Sequence, residues 1–359
     1  MTRTVKEGLE QALRDAKEGD VLLIEGRHEL PEMVLEESIT LRGGTLVGTG
    51  ERVLKLLADV TLQELTVLNP RGHGVVGMAG SPRLDRVQLR VAETGLAFGG
   101  SATPWVGGCR VAGCRTGMTV QDDAVAWVED LHIQSNGCGL FIRGRASGNF
   151  SQVAIMAGQL AGVEICGQAS PVLVGVAVVA SGAGGFYVHE QATPELHGCL
   201  AQHCALPGLE VRGQANPTVD GFVARTCSQA GVLVHQEGRA TLMELELEDC
   251  EGTLLDLAGS CRVEVERAVL KGGKAGGVWL RETARVELLD VLVQGCALSG
   301  VDASARSTAS LEDSRILDNG GVGLSVRDNA HVEVHGCTIT GHTLGDIQQV
   351  GAAVLVQNG

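Results

Sequence analysis

Aromatic residues are scarce in this chain. Only five Phe, three Trp and one Tyr occur among 359 residues, and proline is also rare with eight, whereas glycine reaches 51. A core with so few rings must be aliphatic, and abundant glycine favours tight turns. The composition therefore predicts short structural elements around a narrow aliphatic core.

Several sequence signals are absent. No apolar run is long enough to span a bilayer, and the N-terminus runs from Met1 into a charged segment without the pattern of a signal peptide. The eleven cysteines include no Cys-x-x-Cys pair and no histidine at ligand spacing. We therefore expect free thiols, no metal, no cofactor and a reducing cytoplasmic location.

Positive charge is also in deficit, since 28 Lys and Arg face 43 Asp and Glu and give a net charge of −15. Such a balance disfavours binding to nucleic-acid backbones and to anionic membrane surfaces. It also keeps a glycine-rich chain soluble. The sequence thus predicts neither nucleic acid nor membrane as a partner.

Glycine recurs at a nearly constant spacing from residue 95 onwards. Most steps are 22 or 23 residues, and one short and one long step around Gly252 add up to two ordinary repeats, which indicates a displaced turn. A fixed period of this length is typical of a solenoid. The repeats begin at Gly95, Gly117, Gly139, Gly162, Gly185, Gly208, Gly231, Gly252, Gly277, Gly300 and Gly323.

The pattern inside each repeat predicts three short strands. Counting the glycine as position 1, positions 2 and 4 of each repeat are apolar, as at Leu140 and Ile142, and this alternation indicates a strand with one buried face. A second strand buries position 12, and a third buries positions 15 and 17, as at Leu131 and Ile133. We therefore predict an all-β chain, a parallel β-helix of about 12 coils of 22–23 residues.

Cysteine recurs near the end of several repeats, at Cys114, Cys204, Cys227, Cys250 and Cys296, with Asn136 and Asn319 at the same position. Small side chains at one repeat position would stack at one bend of the solenoid, about 4.8 Å apart. We expect Cys204, Cys227 and Cys250 to line up as free, buried thiols.

The N-terminal region differs from the repeats. Val5, Leu9 and Leu13 have helical spacing, Thr4 and Glu7 resemble a capping box, and Gly19 ends the pattern. We predict a helix from Thr4 to about Lys17 that covers the open end of the core. Residues 1–50 would form this cap and the initial strands, and residues 51–359 one continuous β-helix domain.

Three fragments that follow this helix resemble a known family. They are Gly19-Asp20-Val21-Leu22, Gly26-Arg27-His28-Glu29-Leu30 and Ile39-Thr40-Leu41-Arg42-Gly43. They are similar to the start of right-handed parallel β-helix proteins of the pectate-lyase-like superfamily, whose repeats occur in carbohydrate-binding proteins and sugar hydrolases. The resemblance implies a right-handed, single-stranded β-helix. It leaves function open, because this superfamily contains lyases, hydrolases, epimerases, phage tailspikes and non-catalytic binding domains.

Two fragments resemble parts of the polygalacturonase active site of that superfamily. Gln121-Asp122-Asp123 and Gly72-His73-Gly74 are present, but their order is reversed and they lie two coils apart. Glycoside hydrolysis needs two carboxylates on either side of one bond. We therefore interpret Asp122 and Asp123 as turn residues and assign no catalytic residue.

The outward positions of the first strand form the predicted binding site. Positions 3 and 5 of successive repeats carry a stripe of aromatic and basic residues. In the repeat that begins at Gly252, this counting places Leu254 at position 3 and Asp256 at position 5. Aromatic and arginine side chains on a rigid surface are typical of binding hot spots, although a solvated strand would also favour aromatics. The predicted ligand-binding residues are Phe141, Arg143, Tyr187, His189, Arg212, His235, Trp279 and Arg281.

Trp105 and Trp127 share one position in adjacent repeats and form a smaller candidate, a stacked outward pair, unless a neighbouring coil partly buries them.

Three functional classes follow. We favour a non-catalytic recognition domain that binds an extended protein or glycan along the first-strand face. The alternatives are a carbohydrate-active enzyme, a polysaccharide lyase or glycoside hydrolase, and an assembly element that self-associates through its C-terminal strand, residues 353–356. The short, uniform coils disfavour an enzyme, because enzymes of this fold build clefts from long insertions.

Overall fold

The computed structural model describes residues 1–134, 137–156 and 158–358. These residues pack as two compact units, one of residues 1–164 with 168–177 and one of residues 165–167 with 178–359. Both units consist of short parallel strands wound into coils. The boundary that the sequence predicts at residue 50 stays a prediction.

In the regular coils the first strand contains the glycine of the repeat or directly follows it. The first strands are Met33–Leu35, Arg52–Leu56, His73–Gly77, Thr94–Phe98, Thr116–Val120, Cys138–Ile142, Val163–Ile165, Phe186–Val188, Leu209–Val211, Val232–Val234, Leu255–Leu257, Val278–Leu280, Val301–Ala303, Leu324–Val326 and Ile347–Gln349.

The earliest second strands precede Met33–Leu35, the earliest first strand, in the chain. The second strands are Thr2–Val5, Val21–Ile24, Thr40–Arg42, Thr61–Gln63, Arg83–Asp85, Trp105–Gly107, Val125–Glu129, Ser147–Ser151, Ser170–Val174, Glu195–His197, Thr218–Asp220, Arg239–Met243, Arg262–Lys271, Arg285–Gln294, Thr308–Glu312, His331–His335 and Val354–Asn358.

The third strands complete each coil, and two second strands, Arg262–Lys271 and Arg285–Gln294, extend through the third-strand positions of their coils. The separate third strands are Arg27–Leu30, Thr45–Gly48, Thr66–Asn69, Gln88–Val91, Arg110–Ala112, His132–Gln134, Ala154–Met156, Ala177–Val179, Leu200–Gln202, Val223–Arg225, Glu246–Glu248, Arg315–Leu317 and Thr338–Thr340.

Register between coils follows the predicted repeat. In the first unit Leu96 pairs with Met118 and Met118 with Leu140, and all three side chains are fully buried. Leu131 and Ile133 of the third strand are buried as well. The aliphatic core predicted from the repeat is therefore confirmed.

The glycine at the coil start has a steric cause. A Cβ on Gly117 would lie 2.3 Å from Ile133 Cγ2 of its own coil and 2.6 Å from the carbonyl oxygen of Gly139 in the next coil. Side-chain atoms do not approach so closely, so no other residue fits without displacing the core. The repeat spacing thus records where first and third strands come into contact.

The number of coils was underestimated. Among the described residues the first strands number 15, which makes about 15 turns and not 12. The initial segments already pair in parallel, with Thr2 opposite Val21, Val21 opposite Thr40 and Thr40 opposite Thr61. These coils lack the glycine period, which is why the period alone missed them.

The N-terminal helix is shorter than predicted. It covers Leu9–Arg14, whereas Thr2–Val5 is a strand that pairs with Val21–Ile24. Gly8, with a φ of 66°, precedes the helix and no side chain caps it, so the predicted capping box is wrong. Leu9 and Leu13 are buried, as the apolar spacing predicted.

Within the described residues, no helix is both long and apolar enough to cross a membrane.

All eleven cysteines lie among the described residues as free thiols, and ten of them are buried. Cys204, Cys227 and Cys250 are fully buried, as predicted, whereas Asn136 lies outside the described residues. Burial raises the pKa of Cys109 to about 11 and that of Cys138 to about 12. These cysteines therefore behave as small apolar core residues.

Thiol titration tests this arrangement. We expect the denatured protein to release eleven free sulfhydryls, and the native protein to react rapidly only through Cys337, which is partly exposed. The other ten thiols are buried and lack access to the reagent, and the raised pKa values of Cys109 and Cys138 also leave those two with little thiolate near pH 8. A denatured count clearly below eleven would reveal disulfides and contradict the structure.

Candidate recognition surface on the first-strand face

The eight predicted binding residues all lie at outward positions of first strands or directly after them. Phe141 and Arg143 belong to the first unit, and the other six to the second. Two of the eight, Arg143 and Trp279, are exposed, and the others are partly buried.

In the first unit, Arg143 links two neighbouring side chains. Its guanidinium lies 5.4 Å from the centre of the Phe141 ring, and its Nε donates a 3.1 Å hydrogen bond to Oε1 of Gln121 on the preceding coil. Both contacts hold the arginine against the sheet, so this pair is ordered without a ligand.

Tyr187 forms a similar group in the second unit. Its ring stacks on His189 with 4.4 Å between centroids and 22° between planes. The Arg212 guanidinium lies 4.8 Å from the Tyr187 ring centre. The three side chains stabilise one another, so the tyrosine is less accessible than its outward position predicted.

Pairs of an acidic and a basic side chain connect neighbouring coils of the second unit at a constant spacing of 25 residues. His235 Nε2 lies 3.0 Å from Glu210, Arg281 Nη2 lies 2.9 Å from Asp256, and Arg327 Nη2 lies 2.8 Å from Asp302. In each pair the acid stands at position 3 and the base at position 5 of the next coil. The stripe is therefore close to neutral and not basic as the sequence suggested.

The coil that contains Leu254 and Asp256 corrects the predicted register. Asp256 pairs with Leu233 and with Trp279, so it occupies position 3 and not position 5. Leu254 is fully buried at the place that glycine takes in other coils. A Cβ on Gly273 would lie 2.9 Å from Leu254 Cγ, so the glycine-rich turn of the next coil makes room for the leucine.

Trp279 is the most accessible aromatic residue of the stripe, with 37% of its surface exposed. It stands in register between Asp256 and Asp302. Arg281 places its guanidinium 4.8 Å from the indole centre and donates two Nη2 hydrogen bonds to the Asp256 carboxylate. The ion pair with Asp256 thus holds the Arg281 guanidinium in place, and Arg281 in turn holds the Trp279 indole.

A groove of about 520 Å³ begins beside this indole. One wall is the position-3 column, Trp279, Asp302, Ser325 and Gln348, in register on four consecutive coils. The other wall is the turn column, whose backbone hydrogen bonds place these residues in order: Ala275, Leu298, Gly321 and Leu344.

Two leucines make this groove apolar. Leu298 is 59% and Leu344 is 73% exposed, and Gly321 leaves a notch between them. Both leucines lie in the turn before the coil start, outside the strand positions from which the binding residues were predicted. Their 46-residue separation, two repeats, is the signal that could have identified them.

The fragments that resemble polygalacturonase have structural roles. Asp122 adopts a φ of 59° and accepts a 2.9 Å hydrogen bond from the Gly100 N–H. Asp123 is hydrogen-bonded to Arg145, which lowers the pKa of its carboxyl. His73 Nδ1 accepts a hydrogen bond from the Thr94 N–H. These contacts are those of turn and strand residues, as we interpreted them.

The tryptophan pair of the first unit is only partly as expected. Trp105 and Trp127 are in register, but in the part of the chain that the structure describes their rings are not stacked on each other. Trp105 is half-buried with the Arg83 guanidinium 3.5 Å from its ring centre, whereas Trp127 is 55% exposed.

Comparison with known proteins agrees with this architecture. The sequence profile of the family described as "Right handed beta helix region" matches residues 75–223, 116–251 and 207–359. No curated protein matches the sequence of this chain.

Solved structures resemble the fold at low sequence identity. A chain of the Vag8–C1 inhibitor complex superposes with a TM-score of 0.55 at 11% identity, covering 99% of this chain and 95% of that one. The periplasmic alginate epimerase AlgG gives 0.48 at 9%, covering 91% and 78%. The catalytic unit of a GH87 α-1,3-glucanase from Streptomyces thermodiastaticus gives 0.48 at 13%, covering 99% and 66%.

Proposed function

Because the chain belongs to the right-handed β-helix family, whose fold serves both enzymes and binding proteins, we propose that it is a non-catalytic recognition protein. It binds an extended protein or glycan ligand along the first-strand face. The observation that carries the proposal is the partly exposed Trp279 at the end of an apolar groove.

The geometry of the groove supports an extended ligand. Its walls follow four coils, and with about 4.8 Å between coils the groove is roughly 14 Å long. An indole, two leucines and an uncovered notch provide apolar contact, while Ser325 and Gln348 provide hydrogen-bonding groups. Binding sites combine these features, with aromatic anchors carrying most of the energy.

The carboxylates next to Trp279 argue against glycoside hydrolysis. Asp256 and Asp302 stand two coils apart, which is roughly 9.6 Å along the sheet. This separation would suit an inverting hydrolase. Both oxygens of each carboxylate, however, accept hydrogen bonds from an arginine. Glycoside hydrolysis needs carboxyl groups directed at the bond to be cleaved, whereas these carboxylates are both engaged in bidentate pairs with arginine.

Binding selections on the purified protein test the proposal. A random peptide library and a glycan array provide the two ligand classes, and each recovered ligand is measured against the parent, Trp279→Ala and Trp127→Ala. We expect Trp279→Ala to weaken binding by about 1–2 kcal/mol, a factor of roughly 5 to 30. Trp127→Ala is the matched control, because it removes a more exposed indole of the first unit.

Two results would reject the proposal. One is the absence of any ligand in both libraries, and the other is a recovered ligand that binds Trp279→Ala as tightly as the parent. Both variants should unfold within about 0.5 kcal/mol of the parent, because partly exposed substitutions usually change stability little. Loss of binding with unchanged unfolding therefore identifies a contact and not a folding defect.

The cytoplasmic location predicted from the cysteines is part of the same proposal. Eleven free thiols are compatible with a compartment that keeps thiols reduced.

A further inference from the structure

A second surface, away from the first-strand face, has an unusual charge arrangement. Arg239, Arg262 and Arg285 start the second strands of three consecutive coils of the second unit and are in register with one another. All three are exposed. Among the described residues none of their guanidinium groups has an ion-pair or hydrogen-bond partner. We refer to these three residues as the arginine column.

A glutamate column runs parallel to it, two residues further along each strand. Glu264 and Glu287 are in register and are likewise without ion-pair partners within the described ranges, and Glu333 lies on the same line two coils beyond Glu287. A groove of about 590 Å³ separates the columns. The residues between them point into the core, so backbone forms its floor.

Like charges in these columns oppose one another. Adjacent strands are about 4.8 Å apart, and like charges directly opposite in a sheet destabilise it. A partner would relieve both columns only by presenting anions to the arginines and cations to the glutamates. A polyanion would meet repulsion from the glutamate column, and a polycation from the arginine column.

We propose that the partner is a second copy of this chain, docked through the same surface. A second copy carries both charges, and its columns have the same coil spacing by identity. A two-fold axis that runs parallel to the columns, midway between them, would place each arginine column over the glutamate column of the other copy. This is an isologous interface, in which one patch contacts itself.

The charge pattern also selects this axis over the alternative. With the axis parallel to the columns, each coil meets its own equivalent, so Arg262 faces the partner's Glu264 and Arg285 faces the partner's Glu287. A two-fold axis perpendicular to the columns would place arginine over arginine. On the coil after Arg285 and Glu287 both columns are uncharged, with Thr308 in line with Arg285 and Ser310 in line with Glu287. In this dimer Thr308 would face the Ser310 position of the other copy, so uncharged residues also meet uncharged residues.

Charge exchange tests the interface. Variant one is Arg262→Glu with Arg285→Glu, and variant two is Glu264→Arg with Glu287→Arg. We expect the parent to sediment as a dimer at low ionic strength, and each variant alone as a monomer, with association weakened at least tenfold. An equimolar mixture of the two variants should again sediment as a dimer, because opposite columns then face each other.

Controls separate this interface from other causes. Arg110→Glu with Arg115→Glu changes the net charge equally in the first unit and should leave the dimer intact. Salt at about 1 M, where the Debye length is about 3 Å, should dissociate the parent dimer. Unchanged circular dichroism and thermal unfolding show that the variants fold.

Three outcomes would overturn the proposal: a monomeric parent at about 100 µM and low ionic strength, a dimer that both variants retain, or variants that stay monomeric when mixed. The second outcome would place self-association elsewhere, for example at the C-terminal coil.

Discussion

Gly277→Val is expected to destabilise the protein by about 3 kcal/mol or more, because the coil start has no room for a side chain. A Cβ at this position would lie 2.2 Å from Val293 Cγ1 and 2.5 Å from the carbonyl oxygen of Gly300. The second contact is with backbone of the next coil, so relief requires a shift of the coil and not a rotamer change. Urea-induced unfolding followed by circular dichroism measures the loss.

Gly198→Ala provides the matched control in the same unit. Gly198 has a φ of 58°, yet a Cβ there would meet no atom within 4 Å. Alanine at this position should lower the free energy of unfolding by about 1 kcal/mol, because only the unfavourable positive φ and no steric contact opposes it. Equal losses for the two variants would show that the glycine period reflects backbone conformation and not the steric limit described above.

This steric limit explains why so much of the fold could be predicted. In most coils glycine is required where first and third strands touch, so its spacing reveals the coil length directly. Side-chain alternation then assigns the buried face, as it did at Leu96, Met118 and Leu140. Both signals arise from contacts that every regular coil repeats, and they weaken in the first coils, where glycine does not recur at the regular spacing.

The register of one coil could not be predicted for the same reason. Leu254 replaces the glycine at its coil start, so counting from Gly252 moved Asp256 by two positions. The space for Leu254 comes from Gly273 in the following turn. Counting from the glycine considers each coil separately, whereas here the coil that contains Leu254 and the turn that contains Gly273 are adapted to each other.

The bends between second and third strands were also hidden from sequence reasoning. Many of them consist of one residue in the left-handed region, and the residue types include Glu64 at 55°, Arg86 at 53° and Gln152 at 52°. These residues rarely adopt that conformation. Parallel pairing on both sides imposes it on these residues, and since other coils place Gly108, Gly175 or Asp130 at the same bend, residue preference gives only a partial signal.

The candidate site shows how charge and shape combine on such a scaffold. Sequence placed Trp279 and Arg281 on the outward face, but their mutual contact depends on Asp256, which lies on the preceding coil. Leu298 and Leu344 lie in turns between strands, where the alternation of apolar residues makes no prediction. Recognition residues of a solenoid therefore come from different positions of neighbouring repeats, and only the register of the coils brings them together.

Asn69→Leu should destabilise the first unit by about 3–5 kcal/mol, because it would remove the side-chain hydrogen bonds to four backbone groups at a buried position. Asn69 is fully buried. Its Nδ2 donates to the carbonyl oxygens of Gly50 at 3.1 Å and His73 at 3.0 Å, and its Oδ1 accepts from the N–H groups of Arg71 at 3.2 Å and Gly72 at 3.1 Å. Leucine has a similar size and offers none of these hydrogen bonds.

Asn69→Asp separates hydrogen bonding from packing at this position. Aspartate retains the acceptor for the Arg71 and Gly72 N–H groups but faces the Gly50 and His73 carbonyl oxygens without a donor. A buried carboxylate next to two carbonyl oxygens is unfavourable, so this variant should also lose stability, and it should regain part of it at low pH, where a protonated carboxyl can donate once. The leucine variant should show no such pH-dependent recovery relative to the parent. If Asn69→Leu unfolds at the same urea concentration as the parent, the four hydrogen bonds contribute nothing net, and the apolar core alone sets the stability of these irregular first coils.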